Sequence, residues 1–469
     1  MLEFLKAVWN DGLSVAAPDL DVGQLFVSVH VLIIMVHAIL FGVAYLIYWE
    51  RKISAYIQDR LGPNRTGFDF GLPILGFLKG MWGLGQPLAD GAKFLLKEDY
   101  MPPNADRWLF SLAPVAIIIP ALIGFAVIPW GGTWIVPEVD LFGLINTTNL
   151  PLVGDITGEV LVTGAPINVG VAYLVAVGSL GVYGVTLGGW AGNNKYSFLG
   201  GLRATAQMIS YELPMGLALL TVILTVGSIL PNDIVNFQVE NGVWMILSHP
   251  LVAMIFFTCV LAESNRAPFD NAEAEQELVG GYHTEYSSMR FAMFFLAEYA
   301  HMITGAAFFT LLFLGGWSLP VPFFELPMVS EGLAGVLIML LKVGIFFGKA
   351  YLVCIFMMVV RWTLPRIRYD QIMFLGWQTL IPLTLAIVVA TSVLVFFQWT
   401  AWWQTLLMNA GFALGMVVLA TTLPARKANR RVRLYGSRYF PVEGTPAFAQ
   451  SADPMALEDR PVEGTVSTA

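Results

Sequence analysis

Glu263, Asp270, Glu273, Glu275, Glu277 and Glu285 crowd around a single arginine, Arg266, in the segment ESNRAPFDNAEAEQELVGGYHTEY, residues 263 to 286, within a chain that is only 12% charged. Glu273 and Glu277 stand four apart. On a helix they would share a face, with Glu275 turned away; like charges at that spacing repel, and burial would raise their pKa values further. Such acids suit reversible protonation near neutral pH. A solvated acidic loop fits the composition equally well. Against that reading, the neighbours solvate poorly: Pro268 and Phe269 precede the acids and Leu278 to Gly281 follow them. Glu263 and Glu298 carry the acidic character into the flanking apolar stretches, and a line of carboxylates running into a bilayer suggests a proton path.

Other ionisable residues sit at similar boundaries. Glu50, Arg51 and Lys52 end the first apolar stretch, where the basic pair could orient the chain by snorkelling. In LADGAKFLLK, Asp90, Lys93 and Lys97 form one stripe and Leu88, Ala92, Leu95 and Leu96 the opposite face, which predicts a helix lying along the membrane surface. Arg203 is followed nine residues later by Glu212, two residues before Pro214. Proline removes a backbone donor, so a kink is expected where this carboxylate enters the membrane. The two readings of Glu212 are a functional acid and an interfacial ion pair with Arg203. Lys342 and Lys349, seven apart, share a face of a later span, Lys349 near its middle as a buried charge. Three arginines, beginning with Arg361, close that span.

The elements that position these groups are membrane helices. Hydrophobic residues make up 57% of the 469 and the mean hydropathy is +0.70, so the apolar surface is meant for lipid. Apolar stretches of roughly 18 residues or more predict an all-α polytopic membrane protein with nine transmembrane helices, at 26–49, 108–129, 168–190, 204–230, 245–262, 289–313, 332–360, 371–398 and 402–423. Nine alternating crossings put 22 of the 25 lysines and arginines on one side, which places the N-terminus outside and the C-terminus inside. Residues 1–25 form an outer segment, 26–398 the main membrane domain, 399–424 an additional span, and 425–469 a tail that is first basic and then disordered. No cleavable leader is apparent. Cys259 and Cys354 lie in apolar spans, and the five histidines lack ligand spacing, so no metal is expected on this chain. A net charge of −8 argues against a nucleic-acid partner.

Taken together, WERKISAYIQDRLGPN, QPLADGAKFLLKED, GWAGNNKYSFLGGLRATAQMISYE, the acidic segment continuing through SSMRFAMFFLAEY, and LPRIRYDQIMFLGW closely resemble the H-subunit family of bacterial NADH:quinone oxidoreductase, respiratory complex I. The resemblance runs from about Phe26 to Gln398. It implies a subunit that forms much of a quinone chamber and couples quinone reduction to proton pumping through buried carboxylates. By the same resemblance Arg51, Asp90, Arg203 and Arg361 belong to the chamber, and Glu50, Glu212, Glu263, Glu273, Glu275, Glu277 and Lys349 to the coupling path. No catalytic acid falls on this chain. Quinone is the implied substrate; FMN and iron–sulfur clusters are expected on partner subunits, and a bacterial inner membrane is the implied location. The stretch around FGLPILGFLKGMWGL, the loop at 130–167, the ninth span and the tail depart from the family pattern. A secondary cation or proton transporter, or the homologous subunit of a membrane-bound hydrogenase, are the competing readings.

Overall fold

The computed structural model describes residues 22–68, 76, 78–136, 140–141, 145–146, 158–319 and 326–422. Most of the predicted outer N-terminal segment, 1–21, lies outside the described residues, as does the whole tail, 425–469; residues 22–25 already belong to the first helix. Met1–Ala413 forms one compact unit; of the second, Leu414–Ala469, the described part is the end of a helix.

Fourteen helices are described: α1 (Val22–Ile57), α2 (Gln86–Leu96), α3 (Arg107–Ile123), α4 (Gly170–Ala191), α5 (Lys195–Val226), α6 (Pro231–Glu240), α7 (Met245–Ser248), α8 (Pro250–Glu263), α9 (Glu275–Leu278), α10 (Ser288–Phe313), α11 (Gly332–Thr363), α12 (Tyr369–Phe374), α13 (Ile381–Phe396) and α14 (Trp402–Thr422). A π-helical turn, Leu375–Leu380, joins α12 to α13. Eight helices among the described residues are long and apolar enough to cross a membrane. Their outward residues are apolar too: Phe41, Leu112, Ile119, Leu352 and Val389 are exposed, as a lipid-facing surface requires.

The stretch expected to be the fifth span behaves differently. It divides at His249 into α7 and the 14-residue α8, which at 1.5 Å per residue reaches about 21 Å against roughly 30 Å of hydrocarbon. Pro250 supplies no backbone donor at the break. The joint is buried, and the His249 ring there meets the hydroxyls of Ser248 at 2.9 Å and Thr225 at 3.4 Å. At Pro214 the opposite outcome holds: α5 continues through the proline to Val226, so this proline does not end the helix.

Two sets of connections hold opposite ends of the helices. At one end β1 (Thr133–Val136) pairs antiparallel with β4 (Gly158–Leu161) and parallel with β5 (Val329–Glu331), while β2 (Asp140–Leu141) pairs with β3 (Ile145–Asn146). The Gln24 side chain, at the start of α1, bonds both backbone groups of Leu161 there. At the other end the acidic loop meets the first loop, through Tyr100 N–H and the Ser287 hydroxyl at 3.0 Å, and the segment after α11, through Asp270 and Arg366 at 2.7 Å. The charged residues of the sequence collect at this second end.

The predicted surface helix is α2. None of its residues is buried, and Leu88, Leu95 and Leu96 are exposed. It is tethered by the Ser288 hydroxyl, which donates to the carbonyls of Phe94 and Lys97.

A buried charge network as the candidate functional site

The last turns of α1 send three consecutive ionisable residues in three directions. Glu50 points inward and is 8% exposed; its carboxylate takes the guanidinium of Arg361, at the end of α11, and the hydroxyl of Tyr299 on α10. Arg51 reaches sideways to Asp90 on α2 at 2.8 Å. Lys52 bends back onto the Leu61 carbonyl and the Asn64 side chain of the following turn. Each therefore has a protein partner, which simple snorkelling would not need.

From Tyr299 the network enters the acidic loop. The Arg266 guanidinium lies 4.1 Å from the Tyr299 ring centre and 3.4 Å from the Glu298 carboxylate, and both charged side chains are about 5% exposed. Burial opposes the charge on Arg266, but Tyr299, Glu298, Glu50 and Glu273 around it hold its pKa above the ordinary value. The arginine is therefore a fixed cation. Glu298 also accepts from the Tyr282 hydroxyl at 2.7 Å. The Glu298 carboxyl lies close enough to oppose ionisation of Glu273, so the two do not both carry full charge freely. Burial first, and then Glu298, push the Glu273 pKa well above the carboxylate range. His283 Nδ1 stands 3.6 Å from Glu273. Asp270, also buried, is driven up by its burial and drawn back by Arg366.

Two expectations are corrected, and a third, for Glu275, is left untested. Glu273 and Glu277 do not share a helical face, because α9 begins only at Glu275, after Ala274 at φ −47°, ψ 91°. Glu273 faces the buried pair, whereas Glu277 is about half exposed and bonds Arg203 at 2.6 Å. The Glu275 side chain lies outside the described residues. Finally, Arg203 is taken by Glu277, not Glu212; Glu212 instead accepts the Ser179 hydroxyl from α4. Glu263, at the end of α8, closes on α4, where an ideal Cβ on Gly178 would stand 2.9 Å from its Oε1.

Lys349 lies away from this end. Its ammonium donates to the carbonyls of Leu314, Gly316 and Ser318 just beyond α10, and it sits 4.4 Å from the Trp244 ring centre. Lys342 has a parallel setting, bonding the Met328 carbonyl and the Ser330 hydroxyl beside Trp317. Neither lysine snorkels.

The arrangement thus joins Arg361, Glu50, Tyr299, Arg266, Glu298 and Glu273 in one chain of contacts, with Arg51–Asp90 and Arg203–Glu277 at its margins. Chemically, it can hold, share and pass protons while one arginine fixes the local charge. Sequence reasoning missed Tyr299, Tyr282 and the Asp270–Arg366 pair. Their signal was available only in part: Tyr299 follows Glu298 directly, and Arg366 is one of the three arginines read only as closing a span.

A profile of the NADH dehydrogenase family matches residues 29–392. The chain is 44% identical over 372 residues to NADH-quinone oxidoreductase H-subunit 1 of Geobacter sulfurreducens, covering 78% of this chain and 94% of that protein. It is 44% identical over 368 residues to the NADH-quinone oxidoreductase H-subunit of Leptospira biflexa, covering 78% and 92%. With NADH-quinone oxidoreductase H-subunit 2 of Koribacter versatilis it shares 43% identity over 378 residues, covering 79% and 97%.

Proposed function

This chain belongs to the NADH dehydrogenase family, and on that footing we propose that it works as the H-subunit of a membrane NADH-quinone oxidoreductase, lining the quinone chamber and coupling quinone reduction to proton movement. Arg51, Asp90, Arg203 and Arg361 shape and charge the chamber. Glu50, Glu212, Glu263, Glu273, Glu275, Glu277 and Lys349 serve the coupling path. Quinone is the substrate. FMN and iron–sulfur clusters reside on partner subunits, which dock on the charged end, and the complex sits in a bacterial inner membrane.

The observation that carries this reading is the unbroken contact chain from Arg361 through Glu50, Tyr299 and Arg266 to the Glu298–Glu273 pair. A redox event beside Arg361 or Glu50 changes the local charge, and in a low-dielectric setting that change is felt along the buried groups. The protonation of the Glu273–Glu298 pair is the element that responds. Glu263 and Glu212 then lie farther in along the helices, electrostatically coupled to each other.

The proposed topology has nine crossings, with α7 and α8 together as the fifth. The acidic loop touches Tyr100, Arg203 and Arg366, which flank other spans on the lysine- and arginine-rich side. These contacts support a return across the membrane between α5 and that loop.

In the assembled complex, Glu212→Gln is expected to lower NADH:quinone reductase activity at least about tenfold while NADH oxidation by ferricyanide survives. Full quinone activity in that variant would remove Glu212 from the coupling path. Purification separates the alternatives, since a transporter would be isolated alone, without flavin or iron–sulfur subunits.

A further inference from the structure

Gln86 opens α2 and has no part in the network around Arg266. Its carboxamide is bonded at both ends: Oε1 accepts the Thr66 hydroxyl at 2.8 Å, and Nε2 donates to Asp90 Oδ1 at 3.1 Å. Asp90 follows four residues later, so the two side chains meet on one face of the helix. Its other oxygen, Oδ2, faces Arg51 Nη1 at 2.8 Å. Thr66, Gln86, Asp90 and Arg51 thus form one line of polar contacts, from the loop that follows α1 back to the end of α1.

The charge at one end sets the direction of every bond in the line. An ionised carboxylate only accepts, so Gln86 must turn its NH2 toward Asp90 and its oxygen toward Thr66. The Thr66 hydroxyl then has to donate. A flipped amide would set its oxygen against the carboxylate, so the carboxamide has a single workable orientation.

The backbone holds the first member of the line in place. Gly85 N–H donates to the Thr66 carbonyl at 3.1 Å, so Thr66 is joined to the start of α2 by main chain and side chain together. The approach is close: an ideal Cβ on Gly83 would stand 2.7 Å from the Pro63 carbonyl carbon, and one on Gly85 2.7 Å from that of Gly67. Lys52, beside Arg51, grips the same loop at the Leu61 carbonyl and the Asn64 side chain.

Packing does not fix how α2 is turned about its axis, because none of its residues is buried. Ser288 tethers its far end; at the near end the polar line does this work. Arg51 is left partly free. Its side chain is 47% exposed and Asp90 is its one ion-pair partner among the described residues. A guanidinium has five N–H donors in a rigid fork, so most of them remain open to a ligand oxygen.

We propose that Gln86 and Thr66 are positioning residues for quinone binding: the Thr66 hydroxyl fixes the Gln86 carboxamide, the carboxamide fixes the Asp90 carboxylate, and the carboxylate aims the open N–H groups of Arg51 at a quinone oxygen. Neither residue touches the quinone. Their loss weakens binding in ground state and transition state alike, which raises KM and leaves kcat nearly unchanged. The inference rests on the chamber role proposed for Arg51 and Asp90.

The test uses the whole complex in membranes, with KM and kcat for a short-chain quinone, and NADH oxidation by ferricyanide as the measure of assembly. Gln86→Leu keeps the bulk and loses both bonds; it is expected to raise the quinone KM about tenfold with kcat within about twofold. Thr66→Val, which loses only the hydroxyl, should raise KM about threefold, and Thr66→Ser should recover most of that loss. A residue that acts through Asp90 adds little once Asp90 is altered, so Gln86→Leu combined with Asp90→Asn should keep the KM of Asp90→Asn alone. Wild-type KM in Gln86→Leu beside a raised KM in Asp90→Asn overturns the proposal. So does full multiplication of the two effects in the double variant, and so does a fall in kcat and ferricyanide oxidation at constant KM, which marks a folding role. If Gln86→Leu does not assemble, the Thr66 variants decide: equal KM values in Thr66→Val and Thr66→Ser reject the line. Asp90→Asn separates the two levels, because wild-type quinone kinetics in that variant defeats the chamber role of the ion pair itself, whatever Gln86 does.

Discussion

Glu273 and Glu277 are the same residue type four positions apart, yet one is only about a fifth exposed and lies against a second carboxyl, and the other is an exposed partner of Arg203. The exposed pair is worth about 0–1 kcal/mol, whereas a buried arginine or carboxylate stripped of its partner costs about 3–5 kcal/mol. The energetic weight of the loop therefore lies on Arg266, Glu298 and Glu273. Because the Glu273 pKa is raised in the folded state, the native protein binds that proton more tightly than the unfolded chain does. Stability falls as pH climbs from the ordinary value of 4.5 through the raised one. Glu273→Gln, neutral throughout, is expected to flatten that fall. Thermal midpoints of the assembled complex from about pH 5 to about pH 8 should diverge from wild type with rising pH; parallel curves would mean that Glu273 is not the raised group. The acids themselves were legible in the sequence. Which of them is buried was not, since that depends on α9 starting two residues later than the i, i+4 spacing assumed.

Helices α5 and α10 do most of the positioning. The Ser197 hydroxyl on α5 donates to the Tyr282 carbonyl, and Gly200 lets the loop backbone lie directly on the helix: a Cβ there would stand 2.7 Å from Tyr282 N and from the Gly281 carbonyl carbon. Neither contact is the end of a flexible side chain. Gly200→Ala should therefore push the loop off α5 and cost about 1–3 kcal/mol. Gly216→Ala on the same helix, with nothing within 4 Å, should be neutral or stabilising by up to about 1 kcal/mol. Denaturation midpoints of the two variants check this; equal effects would show that the helix backbone, not the loop contact, sets the outcome. The long apolar helices and the surface helix α2 follow from hydropathy and period. The break at His249 does not, because Ser248, His249 and Pro250 interrupt the apolar run too briefly to lower its hydropathy. The strands at the opposite end escaped notice for a related reason: they are two to four residues long, and one of their pairings, β1 with β5, spans nearly 200 positions.

Across the whole chain, topology turns on whether α7 and α8 complete a crossing. If they do, a cysteine introduced at Ser451 reacts with an impermeant label only from the cytoplasmic side; reaction from outside would reduce the count by one crossing. The charge distribution and the loop contacts both favour the first result, and only the former can be read from the sequence. One further consequence follows from the lysine that caps the carbonyls beyond α10. A helix end is its negative pole, so Lys349 clasps the far tip of the same rod that carries Glu298. Glu298 and Leu314 are 16 residues apart, roughly 24 Å along a helix axis. The rod thus carries an acid on its length and a borrowed ammonium at its tip, and the spacing between these two charges is set by helix geometry rather than by any contact between them.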